Sequence, residues 1–258
     1  MTAEHWGRRP RDWAELAEPS NEPLFERVLD RLEVGTNTRL LDIGCGSGYA
    51  ARMASARGAI VTGIDITPEL IEIARERMPD GQFMTGRMDD LPFATSSFDA
   101  AVGFNAFQFA DDPALAVREA ARVLRAGGRL AATTFAEPER NESTALHVAL
   151  EPLRAAAPAA PAHLPYGLSN PGGLERLLAG ASLEPVESGE VTLAWAHDSV
   201  DEAVRAVLAS GGGAMAIEAA GEDAARAALT EAAAKFARPD GSVSMQNVFR
   251  YAIARRAL

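Results

Sequence analysis

A chain of 258 residues, 47% of them hydrophobic, is long enough to bury a sizeable core as one domain with an embedded insertion, or as one and a half domains. Its formal charge of −11 offers no basic face to a phosphate backbone, which argues against nucleic acid as a partner and leaves a small-molecule substrate. A single cysteine, Cys45, excludes an internal disulfide, no apolar run follows the N-terminal MTAEHWGRRPRDW, and the longest apolar-leaning stretch, 100–110, is too short to span a bilayer; the expectation is a soluble cytoplasmic monomer or homodimer with no membrane partner.

Residues 11–33 read as one or two helices, since Leu16, Leu24, Val28, Leu29 and Leu32 recur at helical spacing around a break at Pro19 and Pro23. From Arg39 apolar strands alternate with helical patterns: strands at 40–43, 60–64, 82–84, 100–103 and 129–135, helices at 48–57, 68–77 and 113–125. That alternation predicts a parallel, doubly wound α/β sheet whose ligand crevice lies at the carboxyl ends of its strands. The rhythm then changes. Residues 139–154 look helical, 155–165 (AAAPAAPAHLP) read as a loop, 174–179 suit a short helix and 186–195 a strand. Alanine-rich helical patterns at 199–210 and 222–236, separated by the glycines 211–213, precede a closing strand at 243–254.

The most informative run is LLDIGCGSG, residues 40–48, which joins an apolar strand to a helix start. Gly44, Gly46 and Gly48 can take positive φ or admit close backbone approach, so that amide groups and the positive end of the next helix face a polar ligand. Asp42 precedes them, and Asp65 ends the second strand, where its carboxylate can accept hydrogen bonds from a ribose diol. The glycine loop and Asp65 together point to a nucleoside. The dinucleotide fingerprint G-x-G-x-x-G is broken, because Tyr49 stands where its third glycine would be, so NAD fits badly.

Together with LPF (91–93), SSFD (96–99) and EAARVLRAGGRL (119–130), following in order, the chain from about 39 to 135 resembles the class I S-adenosylmethionine (SAM)-dependent methyltransferases, in particular the small-molecule group that includes ubiquinone and menaquinone biosynthetic enzymes. The resemblance implies a Rossmann-like seven-stranded sheet with an antiparallel last strand, N-terminal helices and a helical cap insertion. The expected division is a helical lid at 1–38, a SAM-binding core at 39–136, a cap insertion at 137–170, and the rest of the core at 171–258 with a helical insertion at about 198–237.

The same resemblance places Gly44 and Gly46 against the methionine half of SAM, Asp42 at its amino group, Asp65 at the ribose hydroxyls and Ile66 on the adenine. Asp65 has the alternative of capping the helix that opens at Pro68, although Thr67 suits that cap better. Relatives often carry an acid where this chain has Arg87, which has no acceptor; Met88 can offer its backbone N–H to the adenine and Asp89 its carboxylate. Asn105 and Gln108 lie where polar groups would face the reactive methyl, among Phe104, Phe107 and Phe109, and Trp13 could cover the cofactor. His147 is the candidate base. His5, His147, His163 and His197 are too scattered for a metal site, Trp195 reads as structural, and Ser47 reads as the start of the helix at 48–57. The expected activity is methyl transfer to a small, largely apolar acceptor; a SAM-binding, cyclase-like enzyme that does not methylate and a nucleotide-dependent oxidoreductase are the alternatives.

Overall fold

The computed structural model describes residues 2–154 and 166–257. Ahead of the first strand the chain forms α1 (Ala3–Gly7), α2 (Pro10–Asp12), a wide turn at Trp13–Ala17, a tight turn at Pro19–Asn21 and α3 (Glu22–Arg31). The expected break therefore falls at Pro19 alone. Pro23 lies in the first turn of α3, where a backbone N–H has no helical partner and proline costs nothing. Leu24, Phe25, Val28 and Leu29 form the buried stripe of α3.

The core strands are β1 (Arg39–Ile43), β2 (Ile60–Asp65), β3 (Gln82–Thr85), β4 (Phe98–Gly103) and β5 (Leu124–Phe135), joined through α4 (Tyr49–Ala56), α5 (Pro68–Arg77) and α6 (Pro113–Val123). They are parallel, and β1 lies between β2 and β4. Chain connections leave β1 in opposite directions, so its carboxyl end opens a crevice. β1 and β4 are almost wholly buried, as near-continuous apolar runs covered on both faces must be. The expected start of α4 is corrected: Gly48 is its N-cap, in left-handed backbone, and Ser47 is turned inward to other partners.

After α7 (Thr144–Arg154) and α8 (Gly173–Ala179), β6 (Leu183–His197) and β7 (Val243–Arg256) form a long antiparallel pair. β7 inserts between β5 and β6, giving the order β3-β2-β1-β4-β5-β7-β6. This is the expected seven-stranded Rossmann-like sheet. The loop expected at 155–165 lies outside the described residues.

Between β6 and β7 come α9 (Val200–Leu208), α10 (Gly211–Ala220) and α11 (Glu222–Ala233). The glycines 211–213 are not a separator, as the sequence suggested, but the first turn of α10. Ser210 caps that turn by accepting from Gly213 N at 3.1 Å, and a side chain at Gly213 would collide with the Val207 carbonyl and the Leu208 backbone. With α7, these helices close around Leu146, Leu150, Val204, Leu208 and Leu229, and onto Val243 and Met245 of β7. No described helix is long and apolar enough to cross a membrane.

Candidate active site

The glycine loop sits at the carboxyl end of β1. Gly44 N and Cys45 N both donate to Ile64 O, at 2.8 and 3.1 Å, which ties the loop to the end of β2. Gly46 has φ +53, and a Cβ there would run into the Glu18 carboxylate and lie 3.4 Å from Trp13 Nε1. Gly44 and Gly46 border a cavity, whereas Gly48 does not, and a Cβ on Gly48 would press on Ala74 of α5 at 3.0 Å.

Three carboxyl groups converge behind this loop. Asp65 accepts from Gly46 N at 3.0 Å through Oδ2 and from Thr67 N at 2.9 Å through Oδ1. Thr67 holds the N-cap position of α5, but its hydroxyl makes no cap bond. Glu18 accepts from Ser47 N at 2.8 Å, from the Ser47 hydroxyl and from Trp13 Nε1 at 3.0 Å, and pairs with Arg77 Nη1 at 2.9 Å. Arg77 also donates to the Ala14 carbonyl, so the segment before α3 is fastened onto the loop. Asp42, 1% exposed, leaves Oδ2 with no partner. Burial, with Glu18 and Asp65 nearby, pushes the Asp42 carboxyl up to about 8, and burial also raises Glu18 and Asp65. Glu18 and Arg77 escaped the sequence reading, since they belong to three separate elements with Ser47 and share no spacing signal.

Ile66, Met88 and Asp89 border the neighbouring part of the cavity. Arg87 donates through Nε and Nη2 to the two oxygens of Asp89, at 2.8 and 2.7 Å, and reaches Asp111 at 2.8 Å. This two-pronged pair holds the Asp89 carboxyl below its usual range. Asn105, also at the cavity, has φ +49; its N–H donates to Thr133 Oγ1 at 2.9 Å, and the Thr133 hydroxyl donates to Asn105 Oδ1 at 3.3 Å. Gln108 is buried outside the cavity lining, with both amide atoms unpartnered. Phe104 and Phe109 face the cavity, while Phe107 is core beneath Gly103.

Residues 41–132 match the family model of a methyltransferase domain. Over 140 residues the chain is 33% identical to a malonyl-[acyl-carrier protein] O-methyltransferase of Erwinia pyrifoliae, covering 54% of this chain and 53% of that protein. Over 111 residues it is 40% identical to a demethylmenaquinone methyltransferase of Tropheryma whipplei, covering 42% and 46%. The chain thus spans about half the length of the curated relatives it matches. Among solved structures, a SAM-dependent methyltransferase from Aquifex aeolicus superposes with a TM-score of 0.54 at 18% identity, covering 70% of this chain and 92% of that one. The [4+2]-cyclase SpnF superposes with a TM-score of 0.58 at 22% identity, covering 91% and 81%. At these identities the likeness is one of fold.

Elements outside residues 41–132 close the cavity. Trp6 packs edge-on against Trp13 and Phe109, with centroids 5.0 and 5.3 Å apart, and Phe25 against Phe104 at 4.6 Å. At the opposite end Phe135 meets Trp195 at 5.8 Å and His147 at 6.2 Å. Trp195, expected to be structural, borders the cavity while its Nε1 donates to Asn21 at 3.3 Å. His147 Nε2 is out of contact with solvent and unpartnered, and burial, with Arg154 nearby, lowers the imidazole to about 4. Of the other histidines, His5 pairs with Glu218 at the surface, His197 lies at the cavity's far end, and His163 lies outside the described residues. Among the described residues no cluster of His, Cys, Asp or Glu could hold a metal.

Proposed function

We propose that the protein transfers a methyl group from SAM to a small, largely apolar acceptor. The observation that carries this reading is Asp42 Oδ2, a buried carboxyl oxygen without a hydrogen-bond partner, behind a glycine loop in the stretch that matches the methyltransferase-domain model. Burial keeps a proton on the Asp42 carboxyl at pH 7, and a ligand that brings an ammonium group supplies the partner its ionised form lacks. The acids Glu18, Asp42 and Asp65 together suit a ligand whose amino and sulfonium groups are both positive.

In this reading Gly44 and Gly46 leave room for the methionine half, Asp42 takes its amino group, and Asp65 takes the ribose hydroxyls. Ile66 and the Met88 backbone N–H serve the adenine, and Trp13 covers the cofactor. Asp89 reaches the adenine amino group only by sharing an oxygen with Arg87. SAM, when bound, supplies a methyl group already activated by its sulfonium, so the protein's task is alignment and exclusion of water. Asn105, locked to Thr133, positions the acceptor. His147 Nε2 is neutral at pH 7 and weakly basic, so it removes a proton only from an acceptor that is already acidic.

Calorimetric titration with SAM, S-adenosylhomocysteine and NAD, followed by a labelled-methyl assay over a small-molecule extract, tests the proposal. SAM and S-adenosylhomocysteine are expected to bind, NAD not, and label to appear in a low-molecular-weight product. Absence of SAM binding overturns it, and turnover that consumes no SAM points to the cyclase-like alternative.

A further inference from the structure

The cavity has an acidic end and a basic end. At the end remote from Asp42, Arg154 closes α7 with only 9% of its surface exposed. Among the described residues its guanidinium makes one hydrogen bond, from Nη2 to the His147 carbonyl at 3.1 Å, and has no carboxylate within 4 Å. The following segment 155–165 contains no Asp or Glu. Burial lowers the Arg154 guanidinium from its ordinary value and outweighs the opposing pull of the Glu151 carboxylate, which lies beyond ion-pair distance.

Two further polar features lie beside it. A methyl group on Gly212 would meet Arg154 Nη1 at 3.0 Å, so the guanidinium lies against the first turn of α10, where backbone N–H groups have no helical acceptor. His147 Nε2, unpartnered, borders the same chamber. The walls between are Phe135, Trp195 and Val207. A buried guanidinium, a helix N-terminus and a free imidazole nitrogen in an aromatic chamber form a receptor for one planar negative charge on an apolar body.

We infer that the methyl acceptor is an aryl or alkyl carboxylate that carries a hydroxyl group at its other end: Arg154, at the start of α10, holds the carboxylate, while the hydroxyl oxygen takes the methyl as the sulfonium C–S bond breaks and its proton passes to water. This rests on the reading of the cavity as a methyl-transfer site. A single guanidinium matches the fork geometry and single charge of a carboxylate, whereas a phosphate dianion would call for further cations. The two ends then sort the ligands by sign, a cation behind the glycine loop and an anion beneath the cap.

The test is calorimetry on the whole chain with benzoate, cinnamate, 4-phenylbutyrate and octanoate, each against its primary amide, with and without saturating S-adenosylhomocysteine. At least one acid should bind about tenfold or more tighter than its amide. Arg154→Met should bring that ratio to within about twofold, with amide and S-adenosylhomocysteine affinities kept, and Arg154→Lys should keep part of the preference. If no acid outbinds its amide in the unaltered protein, a comparison that needs no variant, the inference falls; it also falls if the preference survives in Arg154→Met. Failure of S-adenosylhomocysteine to bind would instead remove the cofactor reading, while the acid and amide titrations without it still decide the role of Arg154.

Discussion

Asp42 is a carboxyl group held up to about 8 by burial and by its acidic neighbours, and this fixes the sign of its pH behaviour. The folded protein keeps the Asp42 proton across a window where the unfolded chain, with a value near 3.8, has lost it. Stability therefore falls as pH rises from about 4 to about 8, with a slope from this group of up to about 1.4 kcal/mol per pH unit. Asp42→Asn should cancel that slope, gaining on the unaltered protein as pH rises in urea unfolding at pH 5 and pH 8; parallel curves would contradict the assignment. The same substitution should weaken SAM binding by about 1.5–3 kcal/mol, the range for a hydrogen bond to a charged group. SAM binding at pH 7 should release a proton, seen by calorimetry in buffers of different ionisation enthalpy, and the Asn variant should release none.

The clasp between the N-terminal segment and the glycine loop works at the scale of elements. Glu18 brings Trp13, Ser47 and Arg77 together, and losing it strands a guanidinium and an amide in a buried place. Glu18→Ala should cost about 3–5 kcal/mol in chemical denaturation, and exchange of the Ser47 amide should accelerate; a loss under about 1 kcal/mol would mean that the clasp carries little. This clasp is not legible in the sequence, because its partners come from the turn before α3, the loop after β1 and the end of α5. The glycine loop and Asp65 are legible, since a strand, its turn and the following helix write their pattern into one short window. The cap lies between these cases. Its helices show as alanine-rich periodicity, but the glycines 211–213 look like a break in it. Ser210 caps them into the first turn of α10, and the glycine at 213 is required because α10 approaches the end of α9 too closely for a side chain there. Trp195 reads as a structural tryptophan because nothing local shows that a strand at the far side of the sheet will border the cavity.

For the molecule as a whole, the cavity is a seam between a sheet that carries the glycine loop and a helical cap with its own apolar centre. Met245 of β7 is fully buried in that centre. Met245→Ala should cost about 2–5 kcal/mol, with hydrogen exchange accelerating first in α7, α9 and α11 while β1 and β2 stay protected; uniform acceleration would show that cap and sheet open as one unit. Because β7 lies between β5 and β6, the order in which the chain is made differs from the order in which its sheet is assembled. β6 leaves the ribosome with no neighbour to pair with and waits for residues 198–256, on the order of 3–12 s at roughly 5–20 residues per second. For that interval β5 presents an open edge and the fifteen residues of β6 present two, so slower translation of the residues after β6 lengthens the time during which the nascent chain is open to edge-to-edge pairing.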